Sequence, residues 1–514
     1  MRSDFAIIIN ESPERRRSAV VRTRVANPDL EVIFAKGDIV VLFTQGGRAV
    51  VRPDVIVLGH LFSKTHPPKL IERFVDHERL SPGDILRSYW GSYIAMFPSE
   101  DGRTCTILRD PSAFMPCYYC GGPGEMMLAS NAPLLCDACG HIADVDWQKL
   151  GRHLAMCVST PEDTCLAGVG ELIRGCSLTI DDKGFRIHVE WSPWSFTSAQ
   201  SDLTAPMARD LVREAIMESV GAWASCYKKI IVLLSGGLDS SVVAAALAEH
   251  GGSEIHCLSL ATDDPSGDET RYAKAVADSL QLTFIPGRYD LEGYEITRTV
   301  VDFLPRPGGR IAGHPARREC IKLAASHGID AIFDGGGGDS VFCYRSSVVP
   351  FSDRLLVEGP GMSAFQTARD IHWMTRASLL EVIWRGVRRA YWQAPSYRWV
   401  RDVSFLKPRQ WEAYRHPWLE TPSGALPGKA AHIASLVFIH NFGEGVLGWP
   451  TTPCVSPLLS QPVLETCLRI PSWLWCSGGV NRALVREAFA NDLPHKIMQR
   501  RWKGGKRSKS PTFS

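Results

Sequence analysis

Residues Ile230–Ser241 read IIVLLSGGLDSS, an unbroken aliphatic run that stops abruptly at a serine and two glycines. A β-branched run without polar alternation suits a parallel strand covered on both faces, so the chain around it is committed to helices on either side of an open sheet. Leu234 closes the strand. Ser235, Gly236 and Gly237 have small or absent side chains, so their backbone N–H groups can approach a polyanion, and the helix opening near Asp239 and Ser240 turns its positive end to the same point. Asp239 puts a carboxylate where only a cation is a comfortable neighbour. The Mg²⁺ that accompanies a nucleotide pyrophosphate is such a cation.

A second loop has the same character. Asp330–Asp334 (DAIFD) reads as another short strand, followed by Gly335, Gly336, Gly337, Gly338 and Asp339. Four successive glycines cost roughly 1 kcal/mol each to order relative to alanine, so a specific backbone approach should compensate. In an open parallel sheet, ligands sit beyond the carboxyl ends of the strands. Both loops belong there, with Asp239 and Asp339 able to hold Mg²⁺ between them. Ser259, near the end of the strand expected over Glu254–Leu260, is counted with the loop residues as nucleotide-binding.

A chain of 514 residues is long enough for two or more domains, and 45% hydrophobic with 22% charged residues is ordinary for a globular protein. A net charge of +2 gives no special attraction to nucleic acid or membrane. No apolar run approaches the ~18 residues of a membrane span, and Asn10 and Glu11 interrupt any signal-peptide core, so a cytoplasmic protein is expected. The 15 cysteines are scattered, which suits reduced thiols. Cys117, Cys120, Cys136 and Cys139 have the nominal spacing of a four-cysteine zinc site. Cys117 and Cys120, however, lie in a strand-like run where residues three apart point to opposite faces, so buried thiols remain the competing reading.

Residues 1–195 read as short strands with two helices, near Pro68–Glu78 and Trp147–Met156, which implies an α+β layered domain. The Ser-, Thr- and Pro-rich stretch Trp191–Pro206 reads as a linker, with 196–206 its core. From Met207 to the end of the chain, a helix (Met207–Cys226) leads into alternating strands and helices of a doubly wound parallel sheet. Between Ser346 and Gly443, tryptophans and arginines interleave on irregular helices, Trp384, Arg385, Arg388, Arg389, Trp392 and Trp399 among them. A peptide-binding surface and an ordinary helical cap with snorkelling arginines both fit that pattern.

The SGGLDSS loop resembles the pyrophosphatase loop of the adenine-nucleotide α-hydrolase fold, and the GGGGDSVF loop resembles the second metal loop of asparagine synthetase-like enzymes. Those enzymes adenylate a carboxylate and let an amine displace AMP. Gly91–Ala95, Leu108–Pro111 with Pro116–Tyr119, and Leu128–Asn131 resemble that family's glutamine amidotransferase (Ntn-type) domain. The family's nucleophile is a cysteine exposed after removal of Met1, whereas Arg2 stands second here, so a degenerate amidotransferase-like scaffold is expected. At the other end, Pro457–Pro462 (PLLSQP), Arg482–Arg486 and Arg500–Gly504 match the family's tail. The resemblance makes Arg482 and Lys503 the charges that neutralise departing pyrophosphate, Arg482 replacing a usual lysine. Arg486 and Arg500 read as solvated charge. Asp268 and Glu269 match an acidic pair of the family or are simply helix-start charges, and His314 is a candidate proton acceptor or a structural histidine.

Two departures separate the chain from asparagine synthetase itself. Gly336 stands where glutamate is usual, or tyrosine in β-lactam synthetase, and Pro453, Val455 and Ser460 replace the residues around the family's Pro-Phe-Leu-Asp run. This combination looks most like the lasso peptide cyclases, the macrolactam synthetases of ribosomal peptide biosynthesis. That likeness implies ATP and Mg²⁺ as cofactors, a precursor peptide as substrate, and a leader-recognition protein and leader peptidase as partners. An ammonia-using amide ligase and a nucleotide-binding scaffold are the rival readings.

Overall fold

The computed structural model describes the chain except residues 1–2, 75–78, 113, 157–163, 199–202, 262–266, 291–303, 308–312, 345, 399–402, 405, 408–415, 448–451 and 501–514, and describes 440–447 as backbone. Its N-terminal part contains two six-stranded sheets whose paired strands are antiparallel. The first sheet is centred on Phe5–Asn10 and the second on Tyr89–Pro98 with Ile56–Ser63. Strand period sorts their side chains into layers. Phe5, Ile7 and Ile9 meet Ile56, Leu58, Ile94 and Met96 between the sheets, while Ala6 and Ile8 turn to a second core with Ala19, Leu134 and Leu135 of the helices Pro13–Ala26 and Ala132–Cys139. The outer face of the second sheet carries Val57, Phe62, Trp90 and Tyr93 into a third core, shared with the rest of the chain.

Several expected elements change. No helix starts at Pro68, because Leu70 bridges Phe62 and Ile71 donates to the Leu61 carbonyl at 2.8 Å, which holds the segment extended; residues 75–78 of that expected helix lie outside the described residues. A helix occurs instead at Pro82–Ser88, opened by a capping box from Ser81 and Asp84. Pro13–Ala26 is also helical, with Ser12 as N-cap, Pro13 in the first turn and Glu14 beside it. Those start signals were in the sequence, but the polar composition hid the apolar period.

The C-terminal part is built on a five-stranded parallel sheet in the order Thr283–Arg288, Glu254–Ala261, Lys229–Leu233, Ala331–Phe333, Cys454–Val455. Ile230 and Val232 join the core of helix Leu238–His250 on one face, and Ile231 packs with Cys320 and Ala324 of helix His314–Ser326 on the other. The sheet is therefore doubly wound. Its strand order reverses between Lys229–Leu233 and Ala331–Phe333, and the two glycine loops leave those two strands. The crevice at such a reversal is where open α/β sheets take ligands.

The stretch expected to be a linker is partly packed. Pro193–Phe196 forms a 3₁₀ turn, Trp191 Nε1 donates to Glu465 Oε1 at 3.0 Å, and Trp194 Nε1 donates to the Trp418 carbonyl at 2.7 Å. The long helix begins at Ala205, since Pro206 is tolerated in a first turn capped by Thr204, and ends at Ala224. Near its end Trp223 stands 5.1 Å from Phe62 and 6.2 Å from Phe114, ring to ring, and donates to Ser460 Oγ at 3.0 Å. Trp223, packed on Phe62 and Phe114, and Glu465, which accepts from Trp191, thus bind the two halves together.

His416 sits at this junction. It is fully buried, its Nδ1 accepts from the Trp418 N–H at 3.0 Å, and burial, reinforced by the Arg174 charge, pushes its imidazole down to about 3. The unfolded chain takes up that proton below pH ~6.5 and the folded one does not, so stability falls as pH drops from 6.5 toward 3. Between pH 7.5 and 5 the His416→Asn variant should lose about 2 kcal/mol less stability than the parent in urea unfolding. Equal losses would show that His416 protonates without opening the fold.

Candidate active site at the sheet reversal

After Leu234, whose N–H pairs with the Leu258 carbonyl at 2.8 Å, the chain turns through Gly236 at φ +63°. A Cβ on Gly236 would lie 2.4 Å from Tyr272 Cβ, so both conformation and space demand glycine. Gly237 is the N-cap of helix Leu238–His250 and gives it no side-chain cap. The Ser235 and Ser240 hydroxyls face each other at 3.3 Å beside those amides. Such an arrangement of small residues at a bare helix start is suited to phosphate oxygens. Ser259 is buried on the adjacent strand Glu254–Ala261, one residue beyond the Leu258 that pairs with Leu234.

The second loop packs directly on the first. A Cβ at Gly335 would stand 2.4 Å from Ser240 N, and one at Gly338 would stand 2.4 Å from Asp239 Cγ. Gly337 (φ +87°) lies against Leu459. Gly336 donates its N–H to Asp334 Oδ1 at 2.8 Å, an oxygen that also receives Ser456 Oγ at 2.5 Å. The space beside Gly336 is filled: Ser456 Oγ would be 2.8 Å from an added Cβ.

Asp239 and Asp339 converge on one guanidinium. Arg482 Nη1 lies 2.9 Å from both Asp239 oxygens and 2.5 Å from Asp339 Oδ1. The two carboxylates are therefore at most about 5.4 Å apart, and a small side-chain adjustment brings both within the ~2.1 Å ligand sphere of Mg²⁺. Asp239 is buried at the helix start, while the Asp339 side chain is 46% exposed toward the crevice. These donors fit a hard divalent ion. Arg482 itself has φ +53°, unusual for a residue with a Cβ, and its guanidinium lies 4.8 Å over the Tyr344 ring. It neutralises the two aspartates, where the sequence reading had it neutralise pyrophosphate. A divalent ion on the aspartates would leave it free for a phosphate.

Arg500 and Arg486 are not solvated, contrary to expectation. Arg500 Nη1 donates to the Gly236 carbonyl at 2.9 Å, pairs with Glu269 and stacks 4.2 Å over Tyr272, bracing the phosphate loop from behind. Arg486 is buried and holds the Asn481 carbonyl at 2.8 Å and the Arg500 carbonyl at 3.0 Å. Glu269 thus has a loop-bracing partner, and Asp268 accepts the local Thr270 N–H at 2.8 Å. His314 opens helix His314–Ser326 and is buried. Lys503 lies outside the described residues.

The four cysteines do not gather. Cys117 belongs to the core between the two N-terminal sheets, whereas Cys120 and Cys139 pack together on the helical side of the first sheet. The Cys139 thiol and nearby His141 hold the Cys120 thiol down, to about 6.

Glycine loops and opposed aspartates meet at the reversal of a parallel sheet, the place where open α/β sheets take ligands. The family model for asparagine synthase matches residues 211–432 and 455–512, more than half of the chain. The chain belongs to the asparagine synthase family, and membership supports an ATP-dependent carbon–nitrogen ligase. No curated protein matches it. Among solved structures it is similar to the U34-tRNA thiolase NcsA from Methanococcus maripaludis with its [4Fe-4S] cluster, at 16% identity over 32% of this chain and 54% of that one, TM-score 0.21. The chain spans about half of the thiolase's length. It is also similar to glutamine phosphoribosylpyrophosphate amidotransferase from B. subtilis complexed with ADP and GMP, at 10% identity over 76% of this chain and 94% of that one, TM-score 0.24. At those TM-scores neither likeness adds to the account of the site. No helix among the described residues is long and apolar enough to cross a membrane.

Proposed function

We propose that this protein closes a macrolactam ring in a ribosomal precursor peptide. A side-chain carboxylate of the peptide attacks the α-phosphorus of ATP, a new P–O bond forms, and the bond to the bridging oxygen breaks to release pyrophosphate. The peptide's N-terminal amine then attacks the acyl carbon, forms the C–N bond, expels AMP and gives up one proton. Asp239 and Asp339 would hold Mg²⁺, which would supply charge neutralisation at the phosphates. Leu234, Ser235, Gly236, Gly237, Ser240 and Ser259 with Gly335, Gly336 and Gly337 line the nucleotide's place. Arg482 turns from the aspartates to the leaving pyrophosphate. A leader-recognition protein and a leader peptidase would deliver the trimmed peptide.

The observation that carries the reading is the convergence of Asp239 and Asp339 on Arg482 between two glycine loops. The peptide, rather than a small amine, is supported by the lack at Gly336 of the side chain that handles a small nucleophile's proton in the family and by the Trp- and Arg-rich helices beyond the second loop. Incubation with ATP, Mg²⁺ and short acidic peptides encoded beside the gene should give AMP, pyrophosphate and a product lighter than the peptide by one water. Asparagine from aspartate and ammonia would overturn the peptide reading, and no AMP with any acceptor would leave a scaffold.

A further inference from the structure

Beyond the second glycine loop, helix Leu379–Tyr391 and the start of helix Val349–Glu358 line a half-open cavity of about 890 Å³. Arg385, Arg388, Arg389 and Arg398 reach its lining, and among the described residues no Asp or Glu does. Two of these arginines have structural duties. Arg385 pairs with Glu381 at 2.9 Å, and Arg389 holds the carbonyls of Pro395 at 2.9 Å and Ser396 at 3.2 Å, fixing the far wall. The other two do not. Arg388 lies 5.5 Å over the Trp384 ring and Arg398 is exposed, and among the described residues neither meets a carboxylate. Trp384 and Trp392, 61% and 74% exposed, complete the lining.

The cavity is joined to the proposed reaction site. Ala431 of helix Pro427–Leu447 lines it, and the next residue, His432, bonds the Val341 carbonyl at 2.9 Å, at the end of the short helix that carries Asp339. Ser435 of the same helix reaches the Ser340 carbonyl at 3.3 Å. Whatever fills the cavity therefore touches the helix that also holds the element presenting Asp339.

Guanidinium groups match carboxylates bidentately, and exposed indoles offer area to apolar side chains. A nucleic acid would need positive charge continued along a track, but here it is gathered in one pocket of a chain with net charge +2. We propose that this cavity is the subsite that grips carboxylates in the tail of the peptide substrate, through Arg388 and Arg398, with Trp384 and Trp392 seating its apolar side chains. The inference rests on the peptide reading above.

The test is fluorescence anisotropy with the full chain and no ATP, using short labelled peptides of Glu, Gly and Phe. One carries free acids, one has Gln for Glu and an amidated C-terminus, one has only its C-terminus amidated, and labelled oligothymidylate serves as the nucleic-acid probe. The acidic peptide should bind at least about tenfold tighter than its fully neutral form, with salt weakening it, and the amidated form tells tail carboxylate from side chains. Joint Arg388→Ala and Arg398→Ala substitution should remove that tenfold preference, and the corresponding lysine pair should restore most of it. Equal binding of acidic and neutral peptides, an undiminished preference in the alanine pair, or tighter binding of oligothymidylate would overturn the proposal. The two readings fail separately. Arginine-dependent peptide binding without AMP release from any peptide would sink the macrolactam chemistry alone, and ring closure indifferent to both arginines would sink the subsite alone.

Discussion

Asp239→Asn should lower pyrophosphate release by at least about a thousandfold while leaving a folded protein. The substitution keeps the shape that Arg482 holds at 2.9 Å but removes the charge that a divalent ion needs. Asp239 is the more demanding of the two carboxylates, since it is buried in the first turn of its helix and cannot be replaced by a solvent-supported neighbour. The measurement is pyrophosphate release in single-turnover conditions, with a thermal melt to confirm folding. A variant within tenfold of the parent would show that the ion is held elsewhere.

Gly335→Ala should cost about 1–3 kcal/mol of stability and roughly a hundredfold in activity. Its new Cβ would stand 2.4 Å from Ser240 N and 2.7 Å from the Asp239 carbonyl carbon. Those are backbone atoms of the phosphate loop's helix, and they cannot swing aside. The two loops would be forced apart, and Asp239 would part from Asp339. Gly122→Ala is the control, because nothing lies within 4 Å of the added carbon there. If both variants behave alike, the contact between the loops is not what sets the site's geometry.

The strand-to-glycine signal at 230–241 was legible because it is local: the aliphatic run, the small residues and the helix start are adjacent in sequence. The four glycines at 335–338 announced a close approach, but not its partner, since Ser240 and Asp239 lie about a hundred residues earlier. Arg500 belonged to a run resembling the family's tail but carried no sign of its partners. A lone arginine in a basic tail looks solvated until the fold lays it under Gly236 and Tyr272. The fifth strand, Cys454–Val455, is two residues long and has no period to detect. Between Pro68 and Phe74 an apparently helical pattern lost to a tertiary contact, the bridge from Leu70 to Phe62.

One core holds Val57, Phe62 and Trp90 of the N-terminal sheets together with Trp223 and the helix of the phosphate loop. Lineages that inherit such a seam cannot trade the ligase half as a cassette. Its foundations are poured in the other half, so innovation is confined to what sits above the floor: the crevice, its tail and the cationic helices beside it.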